Sequence, residues 1–504
     1  MIFRPEKKDL RIIFYGMRNV FYLIGILLLI PIIVAISVQE FDMIPAFLMG
    51  ASLAFILGVL CAIFFYEKEE MELRHALVMA ALVWIIAPLI AAVPLWLSGF
   101  FSSPLDAGFE GVSGFTGTGL TLALDIDHMP YSMNFLRHFL QFIGDGIGII
   151  VISLSILGKT EISSVLAFKG EAKETGIRPS IVRTSRIIIG IAVAFFLIGT
   201  AMFTIAGIAE GQEAGRAVFD AVNHSMTAYA TGGFSVHSQN LLYYSSPLYE
   251  IVAAILMIFG ALNFNLHYAV LTGRRREAIK NTEIRIFLLI LSTGVLLIAA
   301  SIFSAGLYTS TDAVFRKGVF HLISAQTTTG FQTVPAHHFM VLWPAFSILL
   351  LSMLMVIGGC ANSTSGGIKM LRVGILLKAV VREVKKALLP SSAVATEKIH
   401  HLETTPVTDT IVRGAAVITL SYLFLFVFGM MVTVAHGYPV GTSAFESASA
   451  LGNVGLSAGI TAPSMPDTLK LTYIFLMWAG KLEIIGVLVL IGFAIAAVVG
   501  GPRK

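Results

Sequence analysis

EGVSGFTGTGLT (Glu110–Thr121) is the first of four stretches that share one pattern, followed by HSMTAYATGGFS (His224–Ser235), HLISAQTTTGFQ (His321–Gln332) and ESASALGNVGLS (Glu446–Ser457). Aligned without gaps, each stretch has Glu or His nine residues before its last glycine, and Ser or Thr six residues before it. The copies lie roughly one hundred residues apart, which is far longer than the period of a solenoid. The chain is therefore predicted to contain four copies of a larger unit, each carrying one such loop.

The composition indicates a protein that crosses a membrane many times. Of its 504 residues, 56% are hydrophobic and 13% are charged, whereas soluble domains carry about 25% charged residues. The net charge of +4 is spread over loops, so the chain is not expected to bind nucleic acid. Its expected surroundings are membrane lipid. Cys61 and Cys360 lie in apolar surroundings and have the spacing of neither a disulfide framework nor a metal site. The basic N-terminus lacks a convincing cleavage site, which predicts a retained first span.

Ten apolar runs approach the roughly 20 residues that a helix needs to cross a bilayer. The first two precede the repeated loops, and the other eight form four pairs that each bracket one loop. The predicted fold is an all-α polytopic membrane protein, with two N-terminal helices and four helix–pore loop–helix repeats in pseudo-fourfold symmetry around a central pore. The runs are 19–38, 45–66, 76–100, 133–157, 187–209, 248–272, 285–308, 339–358, 411–436 and 471–500.

The same pairing predicts the domain boundaries. The segments are an N-terminal two-helix extension (1–70), pore repeat 1 (71–160), pore repeat 2 (161–280), pore repeat 3 (281–395) and pore repeat 4 (396–504). Lys and Arg are concentrated on alternate connections, which predicts that these connections and both termini are cytoplasmic. All four repeated loops are then expected to enter the membrane from the outside. The basic connections are 1–18, 158–186, 273–285 and 380–410.

Each repeated loop is too short and too polar to span the membrane. Phe219–Tyr229 corresponds to roughly 16 Å of helix, or half of the hydrocarbon depth. Irregular backbone at that depth is stable only where it is buried in protein or lines an aqueous cavity. A short helix is expected to run to Ser113, Thr227, Ser324 or Ser449 and to end there, with its partially negative carbonyl end facing a cation.

The residues that follow each short helix have the character of a cation filter. TGTG, ATGG, TTTG and GNVG lack large side chains, so backbone carbonyls can converge on a dehydrated ion, an arrangement that suits potassium. Glycine fits where the backbone comes close to its surroundings or has an unusual dihedral angle. The alternative is that such small-residue clusters are helix-packing motifs. Four gap-free copies at equivalent positions favour the filter.

The third inner helix is predicted to break at Gly358–Lys369, GGCANSTSGGIK. Small residues recur 24 to 28 positions after the filter glycines, at Gly144, Gly260, Gly358 and Ala479. This break is therefore expected just below the filter, with helix resuming over Ile368–Val380. The alternatives are a flexible gate on the pore axis and a simple kink or ordinary loop. Glycines at both ends make it a candidate gating segment: Gly358, Gly359, Gly366 and Gly367.

Lys481 is expected in the middle of the fourth inner helix, where an unpaired lysine costs roughly 2.5–3.5 kcal/mol. Two interpretations are open: an electrostatic barrier that faces the cavity near Gly358–Lys369, and a structural ion pair with Glu483 or Asp145. Asp145 itself is either that partner or a cation site in the cavity.

Other polar residues are predicted to have structural roles. Glu110, His224, His321 and Glu446 are expected to tie the pore helices to neighbouring segments rather than to bind ions. Asn263, Asn265 and His267 are expected to make packing contacts between helices. The pairs His337–His338 and His400–His401 are weak metal candidates.

With these features in place, the chain resembles the Trk/Ktr/HKT superfamily of potassium transporters, and specifically its bacterial TrkH-type uptake subunits, over almost its whole length. The resemblance implies that glycine rather than serine at position 119 goes with potassium preference, and that Gly358–Lys369 is an intramembrane gating loop. It also implies that Lys481 stabilises the closed state. The implied filter consists of Thr116, Gly117, Thr118, Gly119, Ala230, Thr231, Gly232, Gly233, Thr327, Thr328, Thr329, Gly330, Gly452, Asn453, Val454 and Gly455.

The predicted function is potassium-selective uptake across a bacterial inner membrane, with K⁺ as the transported ion. The alternatives are an ion-coupled potassium symporter with broken helices, for which only one broken helix is predicted, and a membrane enzyme, for which the chain lacks a Walker loop, an HExxH motif and a Ser/His/Asp cluster. The resemblance further implies a homodimer and a cytosolic TrkA-type nucleotide-binding regulatory subunit.

Overall fold

A computed structural model describes residues 5–499 except 70, 148–180, 309 and 391–394. The described chain is almost entirely helical, as predicted. The α-helices before the third repeat are Lys7–Leu27, Ile30–Ser37, Ile44–Phe64, Leu73–Leu97, Pro104–Phe115, Tyr131–Gln141, Ile181–Ala209, Ala214–Tyr229, Pro247–Ala261, Phe264–Leu271 and Glu277–Lys280. The later ones are Thr282–Ser304, Thr311–Ala313, Phe320–Gln326, Ala336–Leu342, Ala345–Ile357, Met370–Leu388, Asp409–Ala435, Val440–Gly452, Asp467–Lys481 and Ile485–Val499.

Short 3₁₀ and π segments extend several of these helices. The 3₁₀ segments are Phe41–Met43 and Asn240–Tyr243, and the π segments are Phe142–Ile147 and Val314–Val319. The second π segment joins Thr311–Ala313 to Phe320–Gln326, so the third pore helix is continuous. Helix starts follow ordinary capping rules: Ser103 Oγ accepts from Asp106 N, and Ser246 Oγ accepts from Tyr249 N, each just before a proline.

The chain divides into two compact units. One comprises Met1–Gly117, Thr121–Val193 and Ala462–Lys504, and the other comprises Thr118–Leu120 and Ala194–Thr461. In the first unit, the first pore helix lies close to Leu73–Leu97, because Gly111 brings its backbone within van der Waals reach of the Pro88 carbonyl oxygen. In the second unit, Gly199 and Gly294 of the outer helices make room for Ser225 and Leu322 of the pore helices. Small residues thus allow the first three pore helices to approach their outer helices.

Six described helices are long and apolar enough to cross a membrane: Lys7–Ser37, Phe41–Phe64, Leu73–Leu97, Arg186–Ala209, Thr282–Ser304 and Asp409–Ala435. Two further spans are bent pairs, and the apolar helix Ala345–Ile357 is shorter. The predicted run 133–157 continues beyond Ile147 into residues outside the described part, as does the basic connection 158–186 up to residue 180. The prediction of a polytopic helical membrane protein is confirmed.

The prediction of a single broken inner helix is wrong. Pro247–Ala261 and Phe264–Leu271 meet at 98°, and Asp467–Lys481 and Ile485–Val498 meet at 109°. The third inner helix stops at Ile357 and resumes at Met370. At the break in the second inner helix, Asn263 caps the helix Phe264–Leu271, because its side-chain oxygen accepts from Asn265 N. Hydropathy alone does not reveal such breaks, since apolar residues continue on both sides.

A β-hairpin interrupts the connection between the third and fourth repeats, where only a loop is expected from the sequence. Lys398–His401 pairs antiparallel with Glu403–Pro406. It packs on Met370–Leu388 through a small apolar cluster that includes Ile375, Ile399 and Val407. Backbone bonds also fix its start, because Val407 N donates to Glu397 O.

Candidate ion pore

The first three pore helices end just before their predicted filter residues, and the fourth ends on the first of them; these four predicted stretches are hereafter the filter segments. The last helical residues are Phe115, Tyr229, Gln326 and Gly452. They lie two or three residues beyond the serines and threonines at which the sequence places the ends. Each helix therefore directs its carbonyl end toward the start of its own filter segment, where partial negative charge favours a cation.

Four glycines of the filter segments lie in the left-handed region, with φ of +83° at Gly119, +72° at Gly233, +90° at Gly330 and +94° at Gly455. A residue with a β-carbon is strained in this conformation. The filter backbone therefore needs glycine at these positions on dihedral grounds alone.

The same four glycines contact one another's loops in a closed cycle within the second unit. A β-carbon on Gly119 would lie 2.2 Å from Gly232 O, and one on Gly233 would lie 2.0 Å from Thr329 O. A β-carbon on Gly330 would lie 1.9 Å from Val454 O, which continues the cycle to the fourth loop. One on Gly455 would lie 2.2 Å from Thr118 O, which closes it. The four filter segments thus form a ring with backbone carbonyls at each junction, hereafter the glycine ring.

The residue nine positions before each filter glycine binds the chain that leaves its own filter. Glu110 accepts from Thr121 Oγ1 and Leu122 N, both at 3.0 Å. Glu446 accepts from Ser457 Oγ at 2.7 Å and from Ile460 N and Thr461 N. His224 Nε2 lies 3.0 Å from Ser235 Oγ, and His321 Nε2 accepts from Thr333 N at 3.1 Å. The repeated Glu or His thus closes a loop around each filter segment.

The Ser or Thr six positions before each glycine also binds the filter in three of the loops. Thr227 Oγ1 donates to Phe234 O, and Ser324 Oγ donates to Phe331 O. In the fourth loop the bond is reversed, because Gly455 N donates to Ser449 Oγ. In the first loop Ser113 Oγ is buried and has no hydrogen-bond partner among the described residues.

The segment Gly358–Lys369, hereafter the intramembrane loop, bonds to the pore helices and filter residues of the second unit. Thr364 Oγ1 lies 3.0 Å from Thr231 Oγ1 and 3.0 Å from Tyr229 O. Gly366 N donates to Thr328 Oγ1 at 2.7 Å, and Gln326 Nε2 donates to Gly358 O at 3.0 Å. The intramembrane loop therefore lies directly against the second and third filter segments.

Glycines at both ends of the intramembrane loop allow the backbones of its two ends to approach each other. Gly358 and Gly367 have φ of +75° and +82°. A β-carbon on Gly358 would lie 2.1 Å from Gly366 O, and one on Gly366 would lie 2.1 Å from Gly452 O. Gly359 is similarly crowded by Ser365 Oγ. All four glycines singled out in the sequence are thus packed backbone to backbone or against small side chains.

A buried carboxylate anchors the intramembrane loop from the N-terminal end of the outer helix Thr282–Ser304. Glu283 Oε1 accepts from Ala361 N at 2.6 Å and from Leu371 N at 3.1 Å. Its other oxygen lies 3.4 Å from His401 Nδ1 of the hairpin. Asn263 Nδ2 donates to Ala361 O at 2.8 Å, so both backbone polar groups of the loop residue Ala361 are bonded.

Three comparisons with known proteins agree. The family model described as "TrkH: Cation transport protein" matches residues 43–496. An uncharacterized cation transporter of Methanocaldococcus jannaschii is 31% identical over 97% of both chains. The Trk system potassium uptake protein TrkH of Escherichia coli K12 is 30% identical over 84% of this chain and 86% of its own. The chain belongs to the TrkH family.

A solved TrkH-family structure has the same fold. The crystal structure of the potassium transporter TrkH from Vibrio parahaemolyticus superposes with a TM-score of 0.80 at 28% sequence identity, over 95% of this chain and 98% of that one. The chain is therefore a multi-pass membrane transporter and not an enzyme. The resemblance stated from the repeated loops is confirmed.

Lys481 lies at the break between the two halves of the bent pair Asp467–Lys481 and Ile485–Val498. Asp467–Lys481 ends at this residue, just before the 109° bend. Its ammonium nitrogen lies 5.4 Å from the centre of the Trp84 ring, a distance at which cation and ring attract each other. The side chain of Asp145 lies outside the described part of the TrkH-family fold, so its two interpretations remain open.

The remaining polar predictions meet different outcomes. His400 Nε2 lies 2.9 Å from Glu277, and His401 faces Glu283, so both hairpin histidines contact carboxylates. Among the described residues, no group of three or more His, Cys, Asp or Glu side chains has the geometry of a metal site. His267 bonds to Phe259 O across the bend of the second inner helix, as a packing contact does.

Several residues that hold the TrkH-family pore together were missed from the sequence. Arg137 is buried and donates to Glu110 at 2.7 Å, Glu283 anchors the intramembrane loop, and Asn240 donates to Gly233 O at 3.2 Å. A signal existed for Arg137, because a charged residue inside an apolar run needs a partner. The second partner of Asn240, Gln332, and the partner of Glu283, Ala361, lie far away along the chain, and no local pattern indicates these contacts.

Proposed function

We propose that this protein is a potassium-selective uptake pore whose ion ligands are backbone carbonyls of the four filter segments. The glycine ring carries this proposal, because it brings backbone carbonyls of all four loops together without large side chains. Carbonyl rings that replace the hydration shell suit potassium. The printed names of the relatives from Escherichia coli and Vibrio parahaemolyticus, a potassium uptake protein and a potassium transporter, support the same substrate.

Control of transport is proposed to lie in the intramembrane loop and Lys481. The loop bonds to filter residues Thr231 and Thr328 through Thr364 Oγ1 and Gly366 N, so a displacement of the loop alters the inner end of the filter. The protein is further proposed to act as a homodimer in a bacterial inner membrane, with both termini cytoplasmic. A cytosolic TrkA-type nucleotide-binding subunit is proposed as its regulator, docked on the basic cytoplasmic connections.

The test is Gly119→Ser, measured by potassium and sodium flux into liposomes. The serine β-carbon meets Gly232 O and is strained at φ +83°, so the first two filter segments must separate. We expect the preference for potassium over sodium to fall at least several-fold. A folded variant with unaltered selectivity would contradict the filter assignment.

A further inference from the structure

The chain that leaves the second filter segment turns back toward its own glycine at Asn240. This residue has φ of +55°, a left-handed conformation that asparagine tolerates better than most residues. It begins the 3₁₀ segment Asn240–Tyr243. The turn places its side-chain amide beside the glycine ring.

The Asn240 amide joins two neighbouring filter loops. Its Nδ2 donates to Gly233 O at 3.2 Å. Its Oδ1 accepts from Gln332 N at 3.1 Å, two residues beyond Gly330, and from Leu241 N at 2.9 Å. The backbone adds a parallel bond, because Leu242 N donates to Gln332 O at 3.2 Å. One side chain therefore fixes the register between the second and third loops.

The turn that carries Asn240 is itself fastened to the second pore helix. Tyr244 Oη donates to Asp220 at 2.7 Å, and Asp220 is paired with Arg216 at 2.9 Å. The His237 ring stacks on Tyr243 with centroids 3.4 Å apart. Asp220 is fully buried, so the contact between the turn and the pore helix is rigid. The Asn240 amide can therefore fix the positions of the groups that it bonds.

The bond to Gly233 O acts on a carbonyl of the proposed filter. A carbonyl oxygen has two lone pairs, and the Asn240 N–H occupies one of them and fixes the direction of the other. We infer that Asn240 is a positioning residue for the filter, which sets potassium selectivity by orienting the Gly233 carbonyl and by locking the second loop to the third. This inference rests on the proposed function, since it assumes that the glycine ring selects the ion.

Two variants of Asn240 test the inference, because they remove different hydrogen bonds. Asn240→Asp has the same shape and keeps both acceptor bonds, but it replaces the donor to Gly233 O by a carboxylate oxygen that repels the carbonyl. Asn240→Ala removes all three bonds. Gln239→Ala is the matched control, since Gln239 is the exposed neighbour in the same turn. The measurement is the ratio of potassium to sodium permeability in liposomes, with total flux and thermal stability recorded in parallel.

We expect both Asn240 variants to lower the permeability ratio by about 3- to 10-fold, the equivalent of one lost hydrogen bond, with Gln239→Ala unchanged. A purely structural role would lower flux and stability but leave the ratio unaltered. That outcome in Asn240→Asp, with a selective wild type, would overturn the inference and leave the proposed function standing. A wild-type protein without potassium preference would overturn both.

Discussion

Gly330 shows how much one missing side chain decides in this protein. Its φ is +90°, and a β-carbon there would lie 1.9 Å from Val454 O of the next loop. The four-copy alignment was enough to single out Gly330 and its three equivalents from the sequence. It was not enough to reveal which loops touch, because the order around the glycine ring depends on packing over hundreds of residues.

Lys481 is the second residue with a specific expected effect. Lys481→Ala removes a cation from the end of helix Asp467–Lys481, and if that cation opposes ion passage, potassium flux should rise several-fold. The measurement is potassium uptake by liposomes at matched protein content.

Lys481→Arg is the control for that experiment, because it keeps the charge and the attraction to the Trp84 ring. We expect it to conduct like the wild type. Unchanged flux in a properly folded Lys481→Ala protein would count against a barrier and favour a purely structural contact with Trp84.

Among the elements, the intramembrane loop is bonded to the buried carboxylate of Glu283 as well as to the pore helices. Glu283→Gln keeps one acceptor oxygen but removes the charge, and a hydrogen bond to a charged group is worth roughly 1 kcal/mol more than a neutral one. The bonds from Ala361 N and Leu371 N should therefore weaken. We expect potassium flux to increase about fivefold, measured in the same liposome assay.

Glu277→Gln provides the comparison for that variant. Glu277 contacts the hairpin through His400 and lies, like Glu283, in the connection 273–285. Among the hydrogen bonds of the described residues, none joins Glu277 to the intramembrane loop. The variant Glu277→Gln should leave the potassium flux near the wild-type value. Equal flux in both variants would mean that Glu283 does not restrain the intramembrane loop.

The hairpin is expected to respond to acid through Glu397. Hydrogen bonds from Lys385 and Lys378 lower the pKa of Glu397 from its ordinary value of 4.5. A lowered carboxyl pKa stabilises the folded state above pH 4.5, and that stabilisation is lost as the pH falls through the lower folded-state pKa. Hydrogen-exchange protection of the hairpin amides should therefore decrease in acid, once corrected for intrinsic exchange.

Glu397→Gln should show reduced protection at neutral pH, with its difference from the wild type vanishing in acid. Glu383→Gln serves as the control. Glu383 is an exposed residue of the helix Met370–Leu388, which also carries Lys378 and Lys385, but it pairs with Arg382. A difference between Glu397→Gln and wild type that persists unchanged at low pH would contradict the assignment.

The outer helices and the break in the third inner helix were predictable, whereas the breaks in the second and fourth inner helices were not. Long apolar runs place Thr282–Ser304 and Asp409–Ala435 to within a few residues, since composition decides whether a helix crosses a bilayer. Two breaks near Asn263 and Glu483 were missed, because the few polar residues at each break are followed by a further apolar segment. At the first, Asn263 bonds across to the intramembrane loop, a contact that only the folded chain supplies.

Across the whole molecule, the main open choice is between passive and ion-coupled transport. The sequence segments that make up the filter contain no Asp, Glu, His or Lys, so they offer no side chain that binds and releases a proton. We expect the reversal potential in liposomes to follow the potassium gradient at about 60 mV per tenfold ratio, since one charge crossing 100 mV is worth about 2.3 kcal/mol. A pH gradient alone should not shift it. A shift that tracks the pH gradient would favour the symporter.

The glycine ring also constrains how the four repeats can diverge in sequence. Each glycine abuts the backbone of the next loop, so a substitution in one copy changes the selection acting on another. Gly119 is coupled in this way to Gly232, Gly233 to Thr329, and so on around the cycle. The outer helices lie outside this ring and are expected to diverge singly, whereas the filter segments are expected to evolve as one linked group.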